Sequence, residues 1–387
     1  MRDKKRGIYI LFLIVLAGLA GALGLSKKEL RKYENLSCAE KTTYNHSGVG
    51  ICIPDIFYVA GGQELKIYNS QITNIGAHIS ECEVEWTTSY DKAEATAKAF
   101  AVSAEAGVEQ ELPVSVAVYD KEHILLAEKE FTLKIVEAKQ WQFSVLAIGD
   151  SLSANGALYA RLQELLGNQL ICNGTRGYEG FLTEARLGFS AENYLTETGY
   201  YLEEGEEVHK FWNPDTQRFD WNYYKTTTGF QPDVVLLHLG TNGLLSGDEN
   251  AENICEIVRL IRQDDKEIPI YVVNTIYQSD QNGIGSMKMN NGSLMFPGQY
   301  KQERDLANFN LRVYLEDALA EEEKVYLVPA AICVDSENVF NVEARQVNPY
   351  SDETEDVAID AVHPGTEGYR QIADAIYNTL CGTMKEW

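Results

Sequence analysis

The stretch "VLAIGDSLSANG", Val145 to Gly156, decides how the chain is read. A short apolar run, Val145-Leu146-Ala147-Ile148, stops abruptly at Gly149-Asp150-Ser151-Leu152. An apolar run closed by glycine reads as a buried strand ending in a tight turn. In α/β proteins, turns at the carboxyl ends of strands are where ligands bind. Ser151 is therefore either a turn residue or a nucleophile. The second reading needs a base and an orienting group elsewhere in the chain.

C-terminal to this stretch, strand candidates alternate with helical ones. "SVLAIGD" precedes a helix around Tyr159–Leu166, and "DVVLLHLG" precedes "NAENICEIVRLIRQ". In the latter, Ile254, Ile257, Val258 and Ile261 fall at i, i+3, i+4 and i+7. "IPIYVVNTI" precedes a helix around Tyr300–Leu319; "KVYLVPAA" follows, and "TEGYRQIADAIYNTL" closes the chain. This rhythm predicts an α/β domain over residues 141–387, with a parallel sheet and helices on both faces. Ser151 and Gly240-Thr241-Asn242 both sit just past strand ends.

N-terminal to it the rhythm differs. "IFYVAGG", "QELKIYN", "EVEWTT", "PVSVAVYD" and "EFTLKIVEA" are short, β-prone and partly alternating. The last two read as a hairpin turning near Lys121-Glu122-His123. They predict a small all-β sandwich of immunoglobulin-like type over residues 47–138, with no residue set that suggests chemistry. Residues 26–46 are polar and read as a stalk. Residues 1–25 join the basic "MRDKKR" to 19 uncharged residues, Gly7 to Leu25. That is a hydrophobic helix serving as signal peptide or signal anchor. Either role places the rest of the chain outside the cytoplasm, secreted or on the cell surface. If uncut, the helix also makes the membrane a partner.

Lys plus Arg number 33 against 58 Asp plus Glu, a formal charge of −25. Such a surface repels phosphate backbones, so no nucleic-acid partner is expected. The seven cysteines include Cys38 and Cys52, which could close a small loop with Cys82 left over. Cys172, Cys255, Cys333 and Cys381 read as small buried apolar residues. No CxxC pair or close His/Cys cluster points to zinc. No metal or cofactor is expected, and oligomeric state is not legible.

Serine acyl transfer needs a base and a group that fixes the base's tautomer. Of six histidines, His363 stands in "DAVHPGTEGYRQ" before the last helix, three residues after Asp360. An Asp-x-x-His loop lets the carboxylate reach the imidazole of its own turn; the plainer reading is a loop histidine, with Thr366 capping the helix. Asn242 could donate to an oxyanion, or be a turn residue. Gly188, in "EARLGFSAENYL", could bring its N–H to a bound ester, or be a plain loop glycine.

Together these residues resemble the SGNH (GDSL-type) hydrolases. The signature blocks occur in order: Gly149-Asp150-Ser151-Leu152, a loop glycine, Gly240-Thr241-Asn242, and Asp360-Ala361-Val362-His363-Pro364. The likeness covers the chain from about Val145 and implies a flavodoxin-like three-layer domain. It implies Ser151 as nucleophile, His363 as base and Asp360 as its orienting carboxylate. Ser151 N–H, Gly188 N–H and the Asn242 amide would form the oxyanion hole, with Gly174 and Gly177 as alternatives to Gly188. One departure is Gly243, where the family usually has Asp, which puts the support of the Asn242 loop in doubt. "FWNPDTQRFDWNYYKTTTGFQPDVVLLHLGTNG" is similar to a branch of secreted bacterial esterases, as is the sandwich in front. The α/β-hydrolase elbow is excluded, since Gly149 to Ser153 lacks its second glycine.

The reading is a serine esterase acting through an acyl-enzyme on small-molecule or glycan esters, with short O-acyl (acetyl) groups on carbohydrate favoured. A lipase or lysophospholipase of the same family, or a catalytically dead surface carbohydrate-binding protein, is the alternative. Tyr277 to Gly298 reads as a long loop overhanging the site. Tyr178, Phe181 and Phe189, with Met295 and Phe296 on that loop, are candidate substrate contacts.

Overall fold

The computed structural model describes residues 48–178, 180–197, 208–279 and 301–384. The expected N-terminal helix, the stalk, Met295 and Phe296 lie outside them.

The first seven strands form two sheets. Strands β1 (Ile56–Ala60), β7 (Leu125–Val136), β6 (Gln110–Tyr119) and β3 (Glu83–Thr88) make one, in that order. Strands β2 (Glu64–Tyr68), β5 (Ala99–Ser103) and β4 (Ala93–Ala95) make the other. The expected hairpin is β6–β7, antiparallel, with His123 at φ 60° in its turn. Its alternation is literal: Leu112, Val114, Val116 and Val118 are buried, while their neighbours face outward. Trp86 of β3 stacks on Phe100 of β5 at 4.6 Å, joining the two sheets.

Five parallel strands follow: β8 (Phe143–Gly149), β9 (Leu170–Asn173), β10 (Val234–His238), β11 (Ile270–Val273) and β12 (Val325–Val328). Their order across the sheet is β9-β8-β10-β11-β12, the doubly wound flavodoxin-like order. Val145, Ala147, Val234, Leu236, Tyr271 and Val273 point to one face. That face is covered by helices α1 (Gly156–Leu165) and α7 (Thr366–Thr383). The alternate residues, Leu146, Ile148, Val235, Leu237, Ile270 and Val272, point to the other. There lie α2 (Ala191–Tyr194), α3 (Trp221–Thr228), α4 (Asp248–Asp264) and α5 (Lys301–Ala318). A sheet buried on both faces explains why its strands read as unbroken apolar runs. A short helix α6 (Ala330–Cys333) follows β12.

The β-region and the α/β region share one apolar cluster, running from Ile53 and Phe57 to Ile376 and Leu380. A Cβ on Gly382 of α7 would lie 2.0 Å from the Tyr58 ring of β1, so the absent side chain permits this close approach. The Ala60 amide donates to Asn378 Oδ1 at 2.9 Å.

Two expectations are corrected. Thr366 does not cap the last helix; Gly365 does, its N–H held by Val339 O at 2.7 Å. Cys52 is a free thiol, 2% exposed, lying 3.3 Å from Glu316 Oε1. Burial pushes that thiol up to about 12. Its proposed partner Cys38 is outside the described residues.

Candidate active site

The order of strands creates a switch point between β8 and β10, whose chains leave in opposite directions around the sheet. Ser151 opens a single 3₁₀ turn, Ser151–Ala154, directly after β8. Asp150 caps that turn, its Oδ1 accepting from Leu152 N at 2.9 Å. Gly149 is required there: a Cβ would meet Ser153 Cβ at 2.6 Å and the His238 carbonyl at 2.7 Å.

His363 arrives from the other end of the chain. Its Nε2 lies 2.7 Å from Ser151 Oγ, and its Nδ1 lies 2.7 Å from Asp360 Oδ2. The other Asp360 oxygen accepts from Val362 N at 2.8 Å and His363 N at 3.0 Å. The loop thus wraps its own carboxylate and fixes it against the imidazole, as the Asp-x-x-His spacing predicts. With Nδ1–H donating to Asp360, Nε2 is free to take a proton from the serine hydroxyl.

Electrostatics follow from this packing. Burial raises the Asp360 carboxyl, but the His363 hydrogen bond and charge and the two backbone N–H groups outweigh it and hold it below the ordinary range. For His363, burial works against the charged form, yet the Asp360 hydrogen bond and charge raise it above its ordinary value. Asp150 is fully buried, and burial pushes it up to about 7 against the Leu152 N–H and the His363 charge.

Asn242 stands at the end of β10, its Nδ2 donating to Phe189 O at 3.0 Å. One amide hydrogen is thereby held, and the other remains to donate. This bond ties the Asn242 turn to the loop of Gly188, which has φ 75°. That loop is itself pinned to β8: Glu184 N donates to Ala147 O and Arg186 N to Gly149 O, both at 2.9 Å. The Tyr194 hydroxyl lies 2.8 Å from Gly149 O and 2.6 Å from Glu184 O. Gly243, at φ 80°, takes the place of the expected Asp. Support for the turn comes instead from Asn250 of α4, whose Nδ2 donates to Gly240 O at 3.0 Å. Asn250 and Tyr194 were missed in the sequence. Each is an ordinary helix residue there, and its role exists only once the chain is folded.

Gly174 and Gly177 serve other ends. A Cβ on Gly174 would overlap the Thr183 backbone at 2.2 Å, and Gly177 lies in the ribbon Arg176–Tyr178/Phe181–Thr183. Phe189 is not a substrate wall: it is 1% exposed and packed on Tyr194 at 5.3 Å. Phe181 stacks on Tyr159 at 5.9 Å. Tyr178 has its backbone in that ribbon; its side chain is outside what is described. Tyr277, Gln278 and Ser279 are buried rather than part of an overhang, and the rest of that segment lies outside the described residues. No close metal-ligating cluster was visible in the sequence, yet folding gathers Glu83, Glu85 and His123 within 4.8 Å at the surface. All three are exposed, as acidic groups without an ion commonly are.

Residues 147–371 match the GDSL-like lipase/acylhydrolase family, which is more than half of the chain. The chain belongs to this family. This GDSL hydrolase is an enzyme of ester bonds, and the parallel-sheet domain is the family's own. No curated protein matches it. Among solved structures, a lipolytic G-D-S-L family protein from Veillonella parvula DSM 2008 is 14% identical. The match covers 63% of this chain and 99% of that one, with a TM-score of 0.34. A structure titled "Peptidoglycan O-acetylesterase in action" is 14% identical over 62% of this chain and 90% of that one, TM-score 0.31. A salicylyl-acyltransferase from a tetracycline biosynthetic pathway is 11% identical over 78% and 74%, TM-score 0.34.

Proposed function

We propose that this hydrolase is an extracytoplasmic serine esterase that removes short O-acyl groups, acetyl above all, from carbohydrate. The observation that carries the mechanism is the continuous run Ser151 Oγ–His363 Nε2 and His363 Nδ1–Asp360 Oδ2, each step 2.7 Å. Ser151 Oγ attacks the acyl carbonyl while His363 Nε2 takes the hydroxyl proton. Negative charge develops on the carbonyl oxygen, where the Ser151 N–H, the Gly188 N–H and the remaining Asn242 N–H stabilise it. Collapse breaks the ester C–O bond; His363 returns its proton to the leaving alkoxide, and the acyl group stays on Ser151. Water, deprotonated by His363, then attacks this ester and releases the acid, restoring Ser151.

The short acyl group is supported by the packing beside the triad. Thr241, Leu244, Thr275, Ile276, Tyr277, Gln278, Arg304, Asp305, Asn308 and Val362 close that side, polar and apolar groups together, with little room between them. Among the described residues, that narrow space offers an acetyl group more readily than an eight-carbon chain a place beside the triad. The polar, aromatic and glycine-rich character of residues 277–298 suits sugar more than lipid. An extracytoplasmic place rests on the basic-then-apolar pattern of residues 1–25.

The test is kcat/KM on p-nitrophenyl esters of graded length and on acetylated glycans. Acetyl esters should be best, with a steep fall by octanoyl, and Ser151→Ala should abolish turnover. Preference for octanoyl or longer would replace this reading by the lipase one. Turnover surviving in Ser151→Ala would remove the nucleophile.

A further inference from the structure

Gln71 lies in the turn after β2, in the β-region, yet it is 2% exposed. Its carbonyl accepts from Arg312 Nη2 at 2.6 Å and from the Tyr277 hydroxyl at 3.1 Å. Its side-chain Nε2 donates to Val334 O at 2.8 Å and Ser336 Oγ at 2.9 Å. One residue of the β-region therefore holds α5, the chain leaving β11 and the chain leaving α6. Arg312 adds a second tie, from Nη1 to Cys52 O at 3.1 Å, and donates from Nη2 to the Tyr277 hydroxyl at 2.9 Å. Its guanidinium stands 5.6 Å from the ring centroids of both Tyr277 and Phe309. A buried cation held through both Nη atoms by carbonyls and a hydroxyl resists displacement, because movement would cost it those partners.

The held segments run into the catalytic machinery. Two residues beyond Tyr277, Ser279 N–H donates at 2.9 Å to Ala361 O, between Asp360 and His363. One turn before Arg312 on α5, Asn308 Nδ2 donates to Thr275 O and Ile276 O at 2.9 and 3.1 Å. The Thr275 hydroxyl in turn is hydrogen-bonded to that of Thr241, beside Asn242.

We infer that Gln71 and Tyr277 are positioning residues for the esterase site: through them the β-region sets the placement of the Asp360–His363 loop, and is part of the catalytic unit. This rests on the triad reading above. The β-region contributes no group that touches the reacting atoms. It acts by setting where Ala361, and so the imidazole, stands relative to Ser151, and catalysis is sensitive to such placement.

The experiment uses the full-length protein with Tyr277→Phe, which removes the hydroxyl bonded to the Gln71 carbonyl, and Gln71→Met, which keeps that carbonyl but frees the turn carrying it from Val334 and Ser336. Asn378→Ala is the control, since it loosens the β1–α7 contact without leading to the catalytic loop. Active sites are counted by fluorophosphonate labelling of Ser151; kcat and KM on p-nitrophenyl acetate and the melting temperature are then measured. Tyr277→Phe and Gln71→Met are expected to lower kcat per labelled site roughly tenfold, with KM within about threefold. Asn378→Ala should lower Tm while keeping kcat per labelled site. If the first two variants keep kcat per labelled site within about twofold, the β-region is only a packing surface and the inference falls. If the native protein is not labelled at Ser151, the nucleophile reading fails, and the positioning role fails with it.

Discussion

A serine hydroxyl is a weak nucleophile at neutral pH; in the proposed mechanism, what changes this at Ser151 is the order of three side chains that folding brings together from residues 151, 360 and 363. Because His363 must be neutral to act as base, activity should rise with pH. Burial alone would lower that midpoint, but Asp360 outweighs it, so the midpoint should lie above the ordinary histidine value of about 6.5. Asp360→Asn removes the opposing charge and leaves the burial, so the midpoint should move down while kcat drops by about 10³–10⁴. A pH–kcat/KM profile of both proteins checks this; an unmoved midpoint would mean that another group titrates. By the proposed mechanism, Asn242→Ala removes a donor to the developing oxyanion. It should lower kcat by about 10²–10³ with little change in KM. A change confined to KM would make Asn242 a ground-state contact.

Elements place these residues, and the tightest placement is the junction of β8 with its 3₁₀ turn. Gly149→Ala puts a methyl within 3 Å of the Ser153 Cβ and the His238 carbonyl, neither of which can swing away. We expect a kcat loss of at least about tenfold together with a lower Tm, since the turn bearing Ser151 must shift; circular dichroism melts and steady-state kinetics report both. The parts of this scaffold that bury apolar residues at a regular period or in an unbroken run were legible in the sequence: β6, β7, α4 and α7 by period, β8, β10 and β11 by run. So was the contact of His363 with Asp360, because the two share one turn. Other parts were not. Strand β4 is Ala-Glu-Ala, and β9 is an edge strand with Ile171 47% exposed, so neither shows a clear apolar pattern. Gly365 is not legible as the cap, since a backbone amide held by Val339 O leaves no mark in the sequence, whereas Thr366 carries a side chain that suits a cap. Phe189 faces the core, which the sequence does not mark, because an aromatic beside a loop glycine looks the same whether it faces ligand or core.

At the scale of the whole molecule, the sequence divides into a β-region and a hydrolase domain, but the folded chain does not keep their interiors apart. Ile53, Phe57 and Leu133 belong to the same apolar cluster as Tyr369, Ile376 and Leu380. Cutting the chain near Lys139 would uncover the flank of α7 that meets Tyr58, the Asn378 acceptor and the Arg312 guanidinium, which is 2% exposed. Each buried aliphatic side chain returned to water forfeits about 1.5–3 kcal/mol, a large share of the roughly 5–15 kcal/mol that a domain has in hand. A fragment of residues 140–387 should therefore aggregate or bind a hydrophobic dye, whereas residues 48–387 should remain monodisperse. Size-exclusion chromatography and dye fluorescence on the two fragments decide it. A monodisperse 140–387 fragment, melting within a few degrees of the longer one, would mean that the shared cluster closes over without the β-region, and that its two halves are stable apart.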